Sequence, residues 1–177
     1  MPIPNSVQAA INAQIKNELQ AHYNYLGMAV HFENTPYRGF AKWMRLQSSE
    51  EYGHAMKLYD FLSDRNGRVD LTTLEAPKTT YDAHPLDAFK TSYANEQLVT
   101  AQINDLYELA QKEKDFATLQ FLAWFLQEQV EEESTVLLMI ERLELVGEDP
   151  AGLLRLDDEA SRRAATITAA SGAGGDK

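Results

Sequence analysis

A chain of 177 residues, 44% apolar and 24% charged, holds enough hydrophobic side chain to bury one core, which excludes general disorder and fibrous repeats. Its 27 acidic against 16 basic residues leave a net charge of -11 with no cluster of Lys or Arg, a balance that repels nucleic acid and anionic lipid and draws cations. Cysteine is absent, which removes disulfides, thiolate metal sites and thiol nucleophiles; with no basic and apolar leader in "MPIPNSVQAA" and no apolar run near the roughly 20 residues that cross a bilayer, the expectation is one soluble, cytoplasmic domain.

Pro4, Asn5 and Ser6 open a helical pattern of about 28 residues that Pro36 stops. A second helix begins near Tyr37 and ends at Asn66 and Gly67, residue types that tolerate the left-handed turn of a C-terminal stop. Residues 68 to 84 carry Pro77 and several β-branched residues without helical period, so they form a long extended connection. After His84 and Pro85 a third helix runs to about Lys114, Asp115 caps a fourth, and that one ends at Val146 before Gly147. Asp149 and Pro150 start a short fifth helix, "PAGLLRLDDEASRRAA". Residues 1–165 thus form one bundle, and 166–177, "TITAASGAGGDK", a small-residue tail expected to be mobile. Two short turns and one long crossover give an all-α four-helix bundle in which the second and third helices run parallel.

Stepping three and four residues along each helix traces the side chains that face the core. The first helix gives Ile11, Ile15, Glu18, His22, Tyr25, Ala29 and Phe32, and the second Phe40, Met44, Gln47, Glu51, His54, Leu58 and Phe61. The third gives Phe89, Tyr93, Glu96, Thr100, Ile103, Tyr107 and Ala110, and the fourth Leu122, Phe125, Gln129, Glu132, Val136, Met139 and Leu143. Every seam is apolar at its ends and broken midway by a carboxylate. Glu18 and Glu51 lie about 17 and 15 residues from the first turn, and Glu96 and Glu132 about 18 and 17 from the second, so at about 1.5 Å per residue the members of each pair share a height within a turn.

Glu18, Glu51, Glu96 and Glu132, with His54 and Gln129, therefore meet in one layer of the core. Burying one unpaired carboxylate costs several kcal/mol, and the seams hold no Lys or Arg. Oxygen ligands plus one imidazole suit a pair of transition-metal ions. Di-metal carboxylate bundles use a Glu from each of two helices and a Glu-x-x-His from each of the others. Here "EYGH" supplies one such motif, and "QVEE" puts Gln129 and Glu132 where the second would stand. The expected site is asymmetric: Glu18, Glu51 and His54 around one ion, and Glu51, Glu96 and Glu132 around a looser one. Such a site suits uptake of Fe2+, transfer of its electron to O2 or peroxide, and release of Fe3+.

"KNELQAHYNYL", "SSEEYGHAMKL", "NEQLVTAQIND" and "FLAWFLQEQVEEES", in this order, resemble the bacterial non-haem ferritins of the ferritin-like di-iron family over nearly the whole chain. The resemblance implies a ferritin-like bundle and a ferroxidase centre of Glu18, Glu51, His54, Glu96, Gln129 and Glu132, with Glu51 bridging two irons. Tyr25 matches a tyrosine beside that centre, hydrogen-bonded to a ligand or donating an electron. Glu50, Glu128 and Glu131 match a third iron position; read without the family they are solvated carboxylates. Trp124 matches a tryptophan near the centre, or is core packing. His22 is either a partner of the ligands or a satisfied core group, and His31 and His84 carry no assignment. The resemblance further implies iron as the metal, Fe2+ with O2 or H2O2 as substrates, and a homo-oligomeric shell of 24 subunits in octahedral symmetry that stores ferric oxyhydroxide, with the fifth helix lining a four-fold axis. No haem is expected, and the charge balance leaves no nucleic acid and no membrane as an expected partner. A haem-binding bacterioferritin would carry Met at Tyr52 and a second Glu-x-x-His, and a rubrerythrin-like peroxidase would need cysteines for its second iron site.

Overall fold

The computed structural model describes residues 3–173, and side chains through residue 166. Five helices follow in order: α1 Asn5–Glu33, α2 Arg38–Asp64, α3 Leu86–Lys112, α4 Phe116–Val146 and α5 Pro150–Ala173. No strand occurs among the described residues. The α1–α2 and α3–α4 pairs are tight hairpins, and α1 also packs on α3.

The helix ends follow from local chemistry. Asn66 takes φ 55° and the Gly67 N–H returns to the Leu62 carbonyl at 2.9 Å, closing α2. Lys114 does the same for α3 with φ 56°, the Asp115 N–H bonding the Ala110 carbonyl at 2.9 Å. The Asp115 carboxylate then accepts from Thr118 Oγ1 at 2.8 Å, caps α4, and is gripped by the Arg65 guanidinium at 3.1 Å. At the start of α1 no side chain caps the helix, and the Ser6 hydroxyl donates instead to Glu113 at 2.9 Å.

The crossover is held to α1 by side-chain amides that act as backbone partners. Asn12 donates to the Arg68 carbonyl at 2.8 Å and accepts from the Asp70 N–H at 2.8 Å. Gln20 donates to the Glu75 carbonyl at 3.1 Å and accepts from the Glu75 N–H at 2.8 Å. His31 Nδ1 accepts from the Tyr81 N–H at 3.2 Å. Gly27 permits the close approach between them, since a Cβ there would lie 2.6 Å from the Lys78 carbonyl oxygen.

The fifth helix differs from the sequence expectation of a short element ending near residue 165: its backbone stays helical through Ala173. From residue 166 to 171, "TITAAS", no Pro or Gly stands in the way, so nothing in the backbone chemistry stops the helix at residue 165. Positions 174–177 of the expected tail lie outside the described residues. α5 packs on α2 and α4, adding Leu153, Leu156 and Ala160 to the core. Its Asp157 accepts from the Gly39 and Phe40 N–H groups at 2.9 and 2.7 Å, capping α2 from another helix.

Two apolar clusters fill the bundle. One gathers Tyr25, Met28, Phe32, Phe40, Trp43, Phe89 and Val136. The other gathers Val7, Ile11, Ile15, Leu58, Ile103, Leu122 and Phe125. What separates them is the acidic layer.

Candidate metal centre

All six residues expected in the layer are buried: Glu18 on α1, Glu51 and His54 on α2, Glu96 on α3, Gln129 and Glu132 on α4. Four long helices that bury apolar ends force the middle of each seam inward, and so carry the carboxylates with them. Among the described residues no Lys or Arg forms an ion pair with any of the four.

Their partners are neutral donors. Gln14 Nε2 donates to Glu18 Oε1 at 2.9 Å, and Gln47 Nε2 to Glu132 Oε2 at 3.0 Å. Tyr25 Oη donates to Glu96 Oε1 and lies 2.9 Å from the Ser92 hydroxyl, so it touches one carboxylate of the layer. Gln129 Nε2 reaches Glu96 Oε2 at 3.4 Å. His54 Nδ1 lies 3.3 Å from Glu51 Oε2. Two buried oxygens of the layer, Glu18 Oε2 and Glu51 Oε1, have no hydrogen-bond partner among the described residues. A buried carboxylate oxygen without a donor is costly, and these two face it together.

The electrostatics report the same crowding. Burial pushes Glu18 up to about 7, and burial followed by Glu96, Glu50 and Glu128 pushes Glu132 up to about 9. Burial, then the charges of Glu96, Glu18 and Glu132, holds Glu51 well above the carboxylate range, and burial raises Glu96. His54 moves the other way, to about 4, through burial and then Lys57, so its imidazole is neutral near pH 7 and keeps a lone pair for a cation.

Among the described residues, two groups bring one ligand atom from each member within 4.8 Å of the others: Glu18, Glu51 and His54, and His54, Glu128 and Glu132. The first is the set expected around one ion. The second differs from the expected Glu51, Glu96 and Glu132: Glu96 has its oxygens engaged by Tyr25 and Gln129, while Glu132 leans toward Glu128. Burial of Glu50, followed by the charge of Glu128, raises Glu50 to about 7, and burial and then Glu131 raise Glu128, so these carboxyls sense one another. Glu131 itself is exposed.

Trp124 packs edge-on against the His54 ring, 5.4 Å between centroids, with Lys57 Nζ 4.0 Å over its face, so it borders the layer rather than filling the apolar core. His22 Nδ1 donates to the Ser48 carbonyl at 2.7 Å, and the Ser48 hydroxyl donates back to the His22 carbonyl at 3.0 Å, a clasp between α1 and α2 that touches none of the six residues. His84 Nε2 donates to the Gly147 carbonyl at 3.0 Å, and its Nδ1 accepts from the Leu86 N–H at 3.2 Å. The donors Gln14 and Gln47 were not singled out from sequence as site residues, although each stands one turn ahead of a seam carboxylate, Glu18 or Glu51.

Comparison with known proteins places these features. The family model described as "Ferritin-like domain" matches residues 8–146. A bacterial non-heme ferritin from Staphylococcus haemolyticus is 40% identical over 154 residues, 87% of this chain and 92% of that protein. Among solved structures, an open pore ferritin from the hyperthermophilic archaeon Archaeoglobus fulgidus superposes with a TM-score of 0.88 at 47% identity, covering 90% of this chain and 98% of that one. A closed form of the A. fulgidus ferritin, engineered by site-directed mutagenesis, gives a TM-score of 0.88 at 48% identity over 90% of this chain and 96% of that one. With its bundle, its crossover and its buried layer of carboxylates around one histidine, the chain belongs to the ferritin family.

Proposed function

We propose that this protein is a cytoplasmic iron-storage ferritin with ferroxidase activity, which oxidises Fe2+ to Fe3+ within each subunit and stores the product as ferric oxyhydroxide inside a 24-subunit shell. The observation that carries the reading is the pair of buried, unpartnered oxygens Glu18 Oε2 and Glu51 Oε1 beside a neutral His54. A divalent cation seated among them supplies the positive charge that no Lys or Arg among the described residues brings there.

In this reading Fe2+ is substrate. Glu18, Glu51 and His54 take one ion, and Glu51, Glu96 and Glu132, with Gln129, take a second. The hard carboxylate oxygens favour the ferric product, so oxidation is drawn forward. Two Fe2+ give up one electron each, and O2 takes both electrons with two protons to leave as H2O2; where H2O2 is the oxidant, it takes two electrons and two protons to become two waters. Carboxyls held near or above neutral pH release protons as cations bind. Tyr25, bonded to Glu96, orients that carboxylate. Glu50, Glu128 and Glu131 form a third position through which ions pass, and the grouping of Glu128 with Glu132 and His54 supports a direct step between second and third.

The test is aerobic addition of Fe2+ to iron-free protein, followed by ferric absorbance. Glu51→Ala and His54→Ala are each expected to slow the fast phase by roughly tenfold or more while the assembly stays intact. Equal rates in wild type and both variants would refute the centre. Glu50→Ala and Glu131→Ala are expected to change the turnover that follows the first two ions per subunit more than the first oxidation.

A further inference from the structure

Among the described residues no Cα of α2 comes within 8 Å of a Cα of α4, so side chains alone bridge the seam between these helices. The rungs follow in antiparallel order: Gln47 with Glu132, His54 with Glu128, Lys57 with Trp124, and Phe61 stacked on Phe121 at 3.9 Å. Lys57 therefore stands one rung from Glu128, in a seam whose carboxylates have no basic partner. Its Nζ lies 4.0 Å over the Trp124 ring, and it forms no ion pair among the described residues.

That placement is a choice between two neighbours. Trp124 and Glu128 are one turn apart on α4, as His54 and Lys57 are on α2, so the flexible four-carbon stem of Lys57 can swing to either. Lys57 is exposed, and at such a site a cation over an indole face and a Lys–Glu ion pair are of similar strength, so the ring decides a near balance. The indole is itself fixed, edge-on to His54 at 5.4 Å and to Phe125 at 4.9 Å between centroids. The ammonium stays close enough for its charge to act on both His54 and Glu128, behind burial in the first and behind burial and Glu131 in the second.

We infer that Trp124 is a positioning residue: its indole face parks the Lys57 ammonium, keeping it off Glu128 and leaving that carboxylate open, with His54 and Glu132, to a divalent cation. The inference rests on the reading that this layer takes such ions. Without the ring the ammonium falls onto Glu128, and an arriving cation must displace it.

Anaerobic titration of the assembled protein with Co2+ at low ionic strength, read by calorimetry, tests this without turnover. The step lost in Glu128→Gln is the one that belongs to Glu128. Trp124→Leu is expected to weaken that step about threefold to tenfold, and less at high salt, while Trp124→Phe, which keeps an aromatic face, stays within about twofold of wild type. Lys57→Met combined with Trp124→Leu is expected to bind like Lys57→Met alone. Binding in Trp124→Leu equal to wild type would overturn the inference. So would a double variant as weak as Trp124→Leu, because the loss would then run through the packing of Trp124 on His54. Lys57→Met also reads the contact with the ring intact: the tryptophan emission of the ion-free protein is expected to shift, against the constant background of buried Trp43. An unchanged spectrum would overturn the parking even where Trp124→Leu does not assemble. If wild type takes up no Co2+, or Glu128→Gln removes no step, the reading of Glu128 as an ion ligand falls and the parking role with it; if that step is present and Trp124→Leu leaves it unchanged, only the parking role fails.

Discussion

Glu132 shows what one residue contributes to the molecule. Burial, then Glu96, Glu50 and Glu128, lifts its carboxyl from the ordinary 4.5 to about 9. In the unfolded chain the same group ionises near 4.5, so between these values the folded state binds more protons, and stability falls as pH rises through that window. The ion-free protein is therefore expected to gain stability on acidification from pH 9 toward pH 5. Glu132→Gln, which keeps an acceptor for Gln47, removes this penalty. At equal protein concentration its guanidinium midpoint, after chelation, is expected to exceed wild type at pH 8 and to converge with it near pH 4; a constant gap across that range would contradict the assigned cause. Glu18, raised to about 7, gives the complementary expectation for ions: divalent cation must displace protons, so Co2+ affinity drops from pH 8 to pH 6, and calorimetry in two buffers of different ionisation enthalpy detects the released protons. The carboxylates of this layer were legible in the sequence because each interrupts an apolar seam. Gln14 and Gln47 were not, since an amide in or beside a seam reads the same whether it serves a carboxylate or water. The grouping of Glu128 with His54 was also hidden, because it depends on side-chain reach and not on helical spacing.

At the scale of elements, two glycines mark where helices and crossover touch backbone to backbone. A Cβ at Gly39 would lie 1.8 Å from the Asp157 carbonyl oxygen, so α5 cannot keep its seat on α2 if that residue gains a side chain. Gly39→Ala is expected to release α5, giving fast amide exchange through residues 153–160 while the centres of α1 to α4 keep their protection; unchanged protection in α5 would show that the backbone accommodates the methyl group. The crossover makes a second case. Asn12→Ala with Gln20→Ala removes four bonds to the crossover backbone, each worth about 0.5–1.5 kcal/mol, and exposes residues 68–75 to proteolysis. The oxidation rate is expected to stay near wild type, because neither amide touches the layer. Helix number, order and most ends could be read from sequence, since Asn66, Gly67, Asp115, Gly147 and Pro150 punctuate the chain by backbone chemistry that needs no tertiary partner. The path of the crossover could not, because Asn12 and Gln20 look like ordinary surface residues until an extended chain lies across them. The length of α5 was missed for a related reason: a run of small residues carries no apolar stripe by which its helix could be read from sequence.

The whole molecule raises the question of what covers its outer faces. Beside its core seam, α1 carries a second apolar stripe, Leu19, Tyr23, Leu26 and Val30, at four-three-four spacing, and α2 adds Tyr52, Met56 and Tyr59, with the Tyr52 and His22 rings 5.8 Å apart across the two helices. Phe116 at 70%, Val130 at 70% and Leu145 at 87% exposure stand elsewhere on the surface. Scattered apolar groups are ordinary on a monomer, but a continuous stripe across two helices marks a contact face. Contacts on several distinct faces must close on themselves or grow without limit, and closed symmetry is what keeps such a protein soluble. A shell is the closed solution that the proposed storage function requires. The expected native particle is about half a megadalton, from 24 copies of a 19.9 kDa chain, hollow by small-angle scattering. Tyr23→Glu with Leu26→Glu places like charges against their counterparts on the α1 stripe and is expected to yield particles of roughly 20 to 40 kDa that still oxidise the first Fe2+ bound, because the centre lies within one subunit, yet no longer keep ferric product in solution. A wild-type particle of 20 to 40 kDa, or a variant that stores iron as wild type does, would separate the oxidation chemistry from the shell and leave the storage reading without support.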